Sequence, residues 1–171
     1  MIKILQIGSN FGLSHLKAAE NIKNFKINAI SSPNINKKKI KKNINTYKSY
    51  QTAIKKEKPD IILLATPPKI QEKILNFILK NDISLRAIFL EKPVSTSYFR
   101  TKDLIKKLKK KKILFLVNFI FTQLNCFKKM IKLYNFKKIK ELNYNWHFRQ
   151  SYFENKINTW KIRPSEGGGL V

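Results

Sequence analysis

A carboxylate, an ammonium and a proline follow one another at Glu91-Lys92-Pro93, directly after the apolar pair Phe89-Leu90. At the end of a buried-type strand, Lys92 can hydrogen-bond a substrate hydroxyl and share its proton while hydride leaves the same carbon. The plain alternative for Glu91 and Lys92 is a surface ion pair before a loop. A second signal stands near the amino terminus, where Ile4-Leu5-Gln6-Ile7 runs into Gly8-Ser9-Asn10-Phe11-Gly12. Glycines between a strand and a helix let backbone N–H groups approach a pyrophosphate seated on the helix N-terminus. This copy has no middle glycine, and Asn10, which tolerates positive φ, is a partial substitute. A third signal is Thr66-Pro67-Pro68 after Ile61-Ile62-Leu63-Leu64-Ala65. Proline cannot continue a central ladder, so the chain must leave the sheet there, at the edge where open α/β sheets bind ligands.

The elements that must position these residues can be traced in order. Apolar runs at 2–7, 26–30, 61–65, 87–90 and 113–118 suit buried parallel strands, with a further short strand or turn near Tyr47. Helical spacing is expected over 13–22, through Ala53 and Ile54, over 70–80 and over 101–111. Strands alternating with helices of this length imply a Rossmann-type α/β fold, a parallel sheet with helices on both faces. Beyond about Phe121 the pattern changes. A helix is expected over 122–134, then a half-exposed strand in which Leu142, Tyr144, Trp146 and Phe148 alternate. The division expected is residues 1–120 as the Rossmann domain and 121–171 as the start of an incomplete α+β second domain. The terminus directly after Gly167-Gly168-Gly169 reads as that of a truncated chain.

Composition bounds the function. The chain has 171 residues, 43% of them hydrophobic, enough for a real core. No stretch approaches the roughly 20 apolar residues needed to span a bilayer, and Met1 runs into a strand pattern without a signal peptide. The lone Cys126 forms no internal disulfide, and metal-ligand spacing is absent. A cytoplasmic protein without membrane or metal is expected. The net charge of +26 raises the alternative of nucleic-acid binding. Lysine is spread along the whole chain, however, and arginine is confined to Arg86, Arg100, Arg149 and Arg163, which argues for a generally lysine-rich composition. The runs Lys37-Lys38-Lys39 and Lys109 to Lys112 are read as solvated helix ends or loops.

Dinucleotide sites that hold a ribose 2′-hydroxyl carry an acidic residue at the end of the second strand. Here that strand ends in Ser31-Ser32, with Lys37, Lys38 and Lys39 close behind. Small hydroxyls with cations nearby suit a 2′-phosphate, which favours NADP over NAD.

Taken together, the three signals resemble the glucose–fructose oxidoreductase/inositol dehydrogenase (Gfo/Idh/MocA) family of NAD(P)-dependent enzymes. The segment from Asp60 to Pro68 is similar to the family's Asp-x-x-x-x-x-Thr-Pro-Pro stretch, with Gln71 where a His commonly follows. His15-Leu16 also matches a pair common after the family's glycine turn. The resemblance implies that Gly8, Ser9, Asn10, Phe11, Gly12, Ser31, Ser32, Thr66, Pro67, Pro68, Gln71, Glu91, Lys92 and Asn118 line the cofactor. It further implies Lys92 as the acid–base group and Lys92-Pro93 as a candidate cis peptide. Val117-Asn118-Phe119 matches the family's strand into its second domain, although the Arg that commonly follows is missing. Trp160 and Lys161, before the glycines, resemble the run toward the substrate. The Asp-x-Gly-x-His cluster expected just beyond those glycines lies past the last residue. The implied activity is hydride transfer between NAD(P) and a sugar-like or cyclitol hydroxyl, with catalysis impaired in a fragment. A homo-oligomer or a complementing downstream chain is the partner expected. A non-catalytic dinucleotide-binding or partner-binding Rossmann protein is the alternative.

Overall fold

The computed structural model describes residues 2–133, 141, 143, 155 and 157–168. Six strands form one parallel sheet: β1 (Ile4–Ile7), β2 (Ala29–Ser31), β3 (Asn45–Tyr47), β4 (Ile61–Leu64), β5 (Ala87–Glu91) and β6 (Leu114–Asn118). They lie in the order β3-β2-β1-β4-β5-β6, and every neighbouring pair is parallel. The winding reverses at β1, so the carboxyl ends of β1 and β4 flank the crevice in which doubly wound sheets bind ligands. The helices are α1 (Gly12–Glu20), α2 (Tyr50–Glu57), α3 (Pro68–Lys80), α4 (Tyr98–Lys110) and α5 (Asn125–Leu133).

Side-chain alternation along the strands sorts the core into two layers. Leu5, Ile7, Ile62, Leu64, Ile88 and Leu90 pack with Ala53 and Ile54 of α2, Ile74, Leu75 and Ile78 of α3, and Leu104 and Leu108 of α4. On the opposite face Ile4, Ile30 and Leu63 pack with Leu16 and Ala19 of α1. Each fully buried Leu or Ile contributes about 1.5–3 kcal/mol relative to exposure. The first layer is therefore the main source of stability. The second layer stops short of β6, where Leu114 and Leu116 remain 72% and 61% exposed.

Local chemistry sets the boundaries. Ser49 accepts a hydrogen bond from the Thr52 amide at the start of α2, and Ser97 accepts one from Arg100 at the start of α4. Ser97 thus starts α4 at Tyr98, three residues before the expected Thr101. Pro68 occupies the first turn of α3, where its missing N–H costs nothing, so that helix begins before Ile70. The second strand is Ala29–Ser31, later than expected; just before it the Asn28 side chain accepts from the Ile4 amide at 2.9 Å. β5 continues through Glu91, which pairs in register with Asn118. The helix expected over 122–134 divides into a 3-10 turn at Ile120–Gln123 and α5. Leu142, Tyr144, Trp146 and Phe148 lie outside the described residues.

Candidate functional site

The glycine turn leaves β1 at Gly8, whose φ is +101°, a conformation that penalises side chains. A Cβ there would also lie 2.1 Å from the Ala65 carbonyl oxygen, so the turn rests directly on the end of β4. The Gly8 amide donates to the Ser31 carbonyl at 2.8 Å, and the Ser9 hydroxyl donates to that of Ser32 at 2.8 Å. Gly8, Ser9, Ser31, Ser32 and Thr66 are thus gathered at one rim. Asn10 and Phe11 complete the turn, with Phe11 at the helix boundary. No side chain caps the N-terminus of α1, and no acidic residue stands in its first turn. The helix thus brings no carboxylate of its own against its first amides, which suits a pyrophosphate. The buried hydroxyls of Ser31 and Thr66 have no hydrogen-bond partner among the described residues. Such groups are rare in a folded interior and fit a site that supplies a partner from outside.

After β4, Thr66 and Pro67 turn the chain into α3, whose first residue Pro68 is buried. One turn into that helix, Gln71 is fully buried. Its amide nitrogen donates to the carbonyls of Glu91, Pro93 and Val94 at 2.8, 3.2 and 3.1 Å, and its oxygen accepts from the Glu91 amide at 3.1 Å. The carboxamide is fully committed to the loop after β5. Gln71 therefore shapes the site through Glu91–Val94 and has no donor left to offer a ligand. Next to it, Glu72 accepts from Ser95, Thr96 and Arg100 at 3.0, 3.2 and 2.8 Å, fastening the far side of the same loop. Burial pushes the Glu72 carboxyl up, but the Ser95, Arg100 and Thr96 hydrogen bonds and the Arg100 charge outweigh it, leaving the pKa below its ordinary value. Between these two anchors the Lys92-Pro93 peptide is cis and the Lys92 side chain is exposed at the carboxyl edge of the sheet.

Gln6, which sequence reasoning passed over, and His15, noted there only as a match after the glycine turn, organise the centre. Gln6, fully buried in β1, donates to the Ile7 and Gly8 carbonyls at 3.0 and 3.3 Å. Its oxygen meets His15 Nδ1 at 2.8 Å, and His15 Nε2 lies 3.3 Å from Glu91 Oε1. Asn118 Nδ2 donates to the same Glu91 oxygen at 2.7 Å. One polar line thus crosses β1, α1, β5 and β6 beneath the rim. Gly12 makes room for it, since a Cβ there would stand 2.6 Å from Gln6 Nε2. The available signal was a Gln in an otherwise apolar strand, followed nine positions later by a His.

The segment 157–168 also reaches this edge. Gly167, with φ +85°, sits against Pro68 and Thr96 so closely that a Cβ would be 3.0 Å from Pro68 Cβ and 3.3 Å from Thr96 Cα. Gly168 packs on the carbonyls of Trp160 and Lys161. Through Gly168, the half-buried Trp160 and the exposed Lys161 are tied to the segment whose Gly167 packs on Pro68 and Thr96. Lys37, Lys38 and Lys39 form an exposed 3-10 turn capped by Asn36. No helix of the described residues is long and apolar enough to cross a membrane.

A doubly wound parallel sheet with its glycine turn at the switch point defines a Rossmann-type protein of the dinucleotide-binding class. The chain belongs to the Gfo/Idh/MocA oxidoreductase family with an NAD-binding Rossmann fold, whose model matches residues 2–119. No curated protein sequence matches it. Solved structures share the fold at low identity. A dehydrogenase from Chromobacterium violaceum is 14% identical, with a TM-score of 0.67 over 78% of this chain and 40% of that one. The WlbA dehydrogenase from Bordetella pertussis, in complex with NADH and UDP-GlcNAcA, is 15% identical, with a TM-score of 0.65 over 77% and 42%. Myo-inositol 2-dehydrogenase from Lactobacillus plantarum is 18% identical, with a TM-score of 0.66 over 77% and 40%. The chain thus spans about two fifths of the length of these structures.

Proposed function

We propose that this chain binds NAD(P) across the β1/β4 switch point and contributes Lys92 to hydride transfer between the nicotinamide and a sugar-like or cyclitol hydroxyl. The observation carrying this reading is the convergence of the Gly8 turn, the Thr66–Pro68 turn and the Lys92 loop on one carboxyl edge, within a family that binds NAD. Gly8, Ser9, Asn10, Phe11 and Gly12 would hold the pyrophosphate, and Thr66, Pro67, Pro68 and Asn118 would border the nicotinamide half. When bound, the dinucleotide supplies the hydride acceptor or donor. Lys92 would take or return the hydroxyl proton, Glu91 and Gln71 would set its position, and Trp160 and Lys161 would border the substrate. The substrate class is supported by the family and by the sugar-nucleotide and inositol relatives. Turnover is proposed for a homo-oligomer or for an assembly with a complementing chain.

The end of β2 favours NADP(H), because Ser31 and Ser32 stand where a carboxylate would repel a 2′-phosphate, and Lys37 to Lys39 follow. Calorimetric titration of the protein with NADPH and NADH tests both levels. Tighter binding of NADPH is expected. Equal affinities or a preference for NADH would overturn the Ser/Lys argument, and failure to bind either would overturn the cofactor reading itself.

A further inference from the structure

Protons can be counted along the Gln6–His15–Glu91 line. Gln6 Nε2 donates to two backbone carbonyls, which fixes the orientation of its carboxamide and turns Oε1 toward His15. A carbonyl oxygen only accepts, so His15 Nδ1 carries a proton. The other ring nitrogen faces Glu91 Oε1 at 3.3 Å, and that oxygen already accepts from Asn118. With Glu91 ionised, a lone pair on Nε2 would confront a carboxylate lone pair, so this contact is then attractive only if Nε2 also carries a proton. The arrangement is satisfied by an imidazolium and a carboxylate, each 13% exposed in the side chain.

Among the described residues, Glu91 is the charged partner that His15 meets. β1 presents the neutral Gln6, and β6 presents the neutral Asn118 through Glu91. The Phe11 and Phe89 rings stand perpendicular to the imidazole at 5.8 and 5.5 Å. Lys17 and Glu20, on the same helix as His15, are exposed, and Glu20 pairs with Lys41. Lys92 follows Glu91 but is exposed.

We propose that His15 is a positioning residue, a proton-held clasp that ties the strand end bearing Glu91 and Lys92 to the cofactor turn. With both ring protons present, α1, whose N-terminus would receive the pyrophosphate, is locked to the loop that aims Lys92. Loss of the Nε2 proton turns the same contact repulsive, and the turn and the loop lose their common register. Dinucleotide affinity is therefore linked to the protonation of His15. The cofactor part of this inference rests on the function proposed above, whereas the clasp itself does not.

Only two histidines occur in the chain, His15 and His147, so long-range 1H–15N correlation spectra of the imidazoles can be assigned with one His147→Gln variant. Spectra and NADPH titrations would be recorded on the whole protein across the same pH series. His15 should carry protons on both nitrogens where affinity is highest. Affinity should fall about tenfold as one proton is lost, the scale of a hydrogen bond to a charged group. His15→Gln, which keeps a donor toward Glu91 but cannot titrate, should remove this pH dependence while retaining binding. If that variant fails to fold, Glu91→Gln tests the same contact, because it should convert the ring to the neutral Nδ1–H form at an unchanged pH. A wild-type ring protonated on one nitrogen throughout, or an undiminished affinity slope in His15→Gln, would overturn the clasp. Absence of dinucleotide binding at every pH would refute the cofactor reading and the affinity link, while the spectra would still decide the clasp.

Discussion

Single atoms decide whether the cofactor turn can exist. At Gly8 two penalties coincide, a left-handed φ and a Cβ position 2.1 Å from the Ala65 carbonyl oxygen. Neither can be relieved by a rotamer change, because the obstacle is the backbone of β4. Gly8→Ala should therefore cost roughly 1–3 kcal/mol or more of folding stability, which a shifted urea midpoint would reveal. It should also abolish cofactor binding. At Lys92 the expected loss is of another kind. Its ammonium is proposed to meet charge developing on the reacting oxygen, an interaction stronger in the transition state than in the ground state. In an assembly that turns over, Lys92→Ala should lower kcat by about 10²–10⁴-fold with cofactor affinity nearly unchanged. Lys92→Arg should be almost as damaging, because a guanidinium does not release its proton near neutral pH. Near-normal turnover in either variant would reduce Glu91-Lys92-Pro93 to a structural turn.

At the scale of elements, α3 is the brace of the site. Gln71 and Glu72 are neighbours on that helix and fasten opposite sides of the loop joining β5 to α4. Glu72 has a folded-state pKa below its ordinary value, so its stabilising contribution is present above the unfolded pKa of about 4.3. That contribution is lost as pH falls through the lower folded value. Unfolding free energy measured against pH should accordingly drop below about pH 4.3, and Glu72→Gln should flatten that part of the curve. An identical acid slope in the variant would show that the loop is held without the carboxylate. The strands flanking the site were readable in the sequence because a buried parallel strand is a continuous apolar run, and Gly8, Thr66-Pro67-Pro68 and Pro93 mark where three of them stop. Helix starts were misplaced at α3 and α4 because periodicity reports the buried face, whereas the first turn is set by Pro68 and Ser97. The Gln6–His15–Glu91–Asn118 line was hidden for a different reason. Its members are up to 112 positions apart, and only the parallel register β1-β4-β5-β6 brings them to one level.

At the scale of the molecule, two opposing features govern solution behaviour. A net charge of +26 on a chain this small repels other copies of itself. Against this, β6 is the last strand of the sheet among the described residues, and its Leu114 and Leu116 are largely exposed beside Phe89, Leu63 and Ile61. An apolar surface next to an unpaired strand edge favours association with any chain that comes near. At low ionic strength charge should win, since the Debye length is about 30 Å at 0.01 M and unlike copies of a neutral protein the molecules do not approach. At about 0.15 M it shrinks to about 8 Å, and short-range apolar attraction is no longer opposed. Light scattering should therefore report a monomer in dilute buffer and growing association as salt is added. This is the reverse of what an association driven by ion pairs would do. The double substitution Leu114→Lys and Leu116→Lys should suppress the association at every salt concentration. It should cost little stability, because neither side chain is buried in the monomer. Association that persists unchanged in the double variant would place the sticky surface elsewhere on the chain.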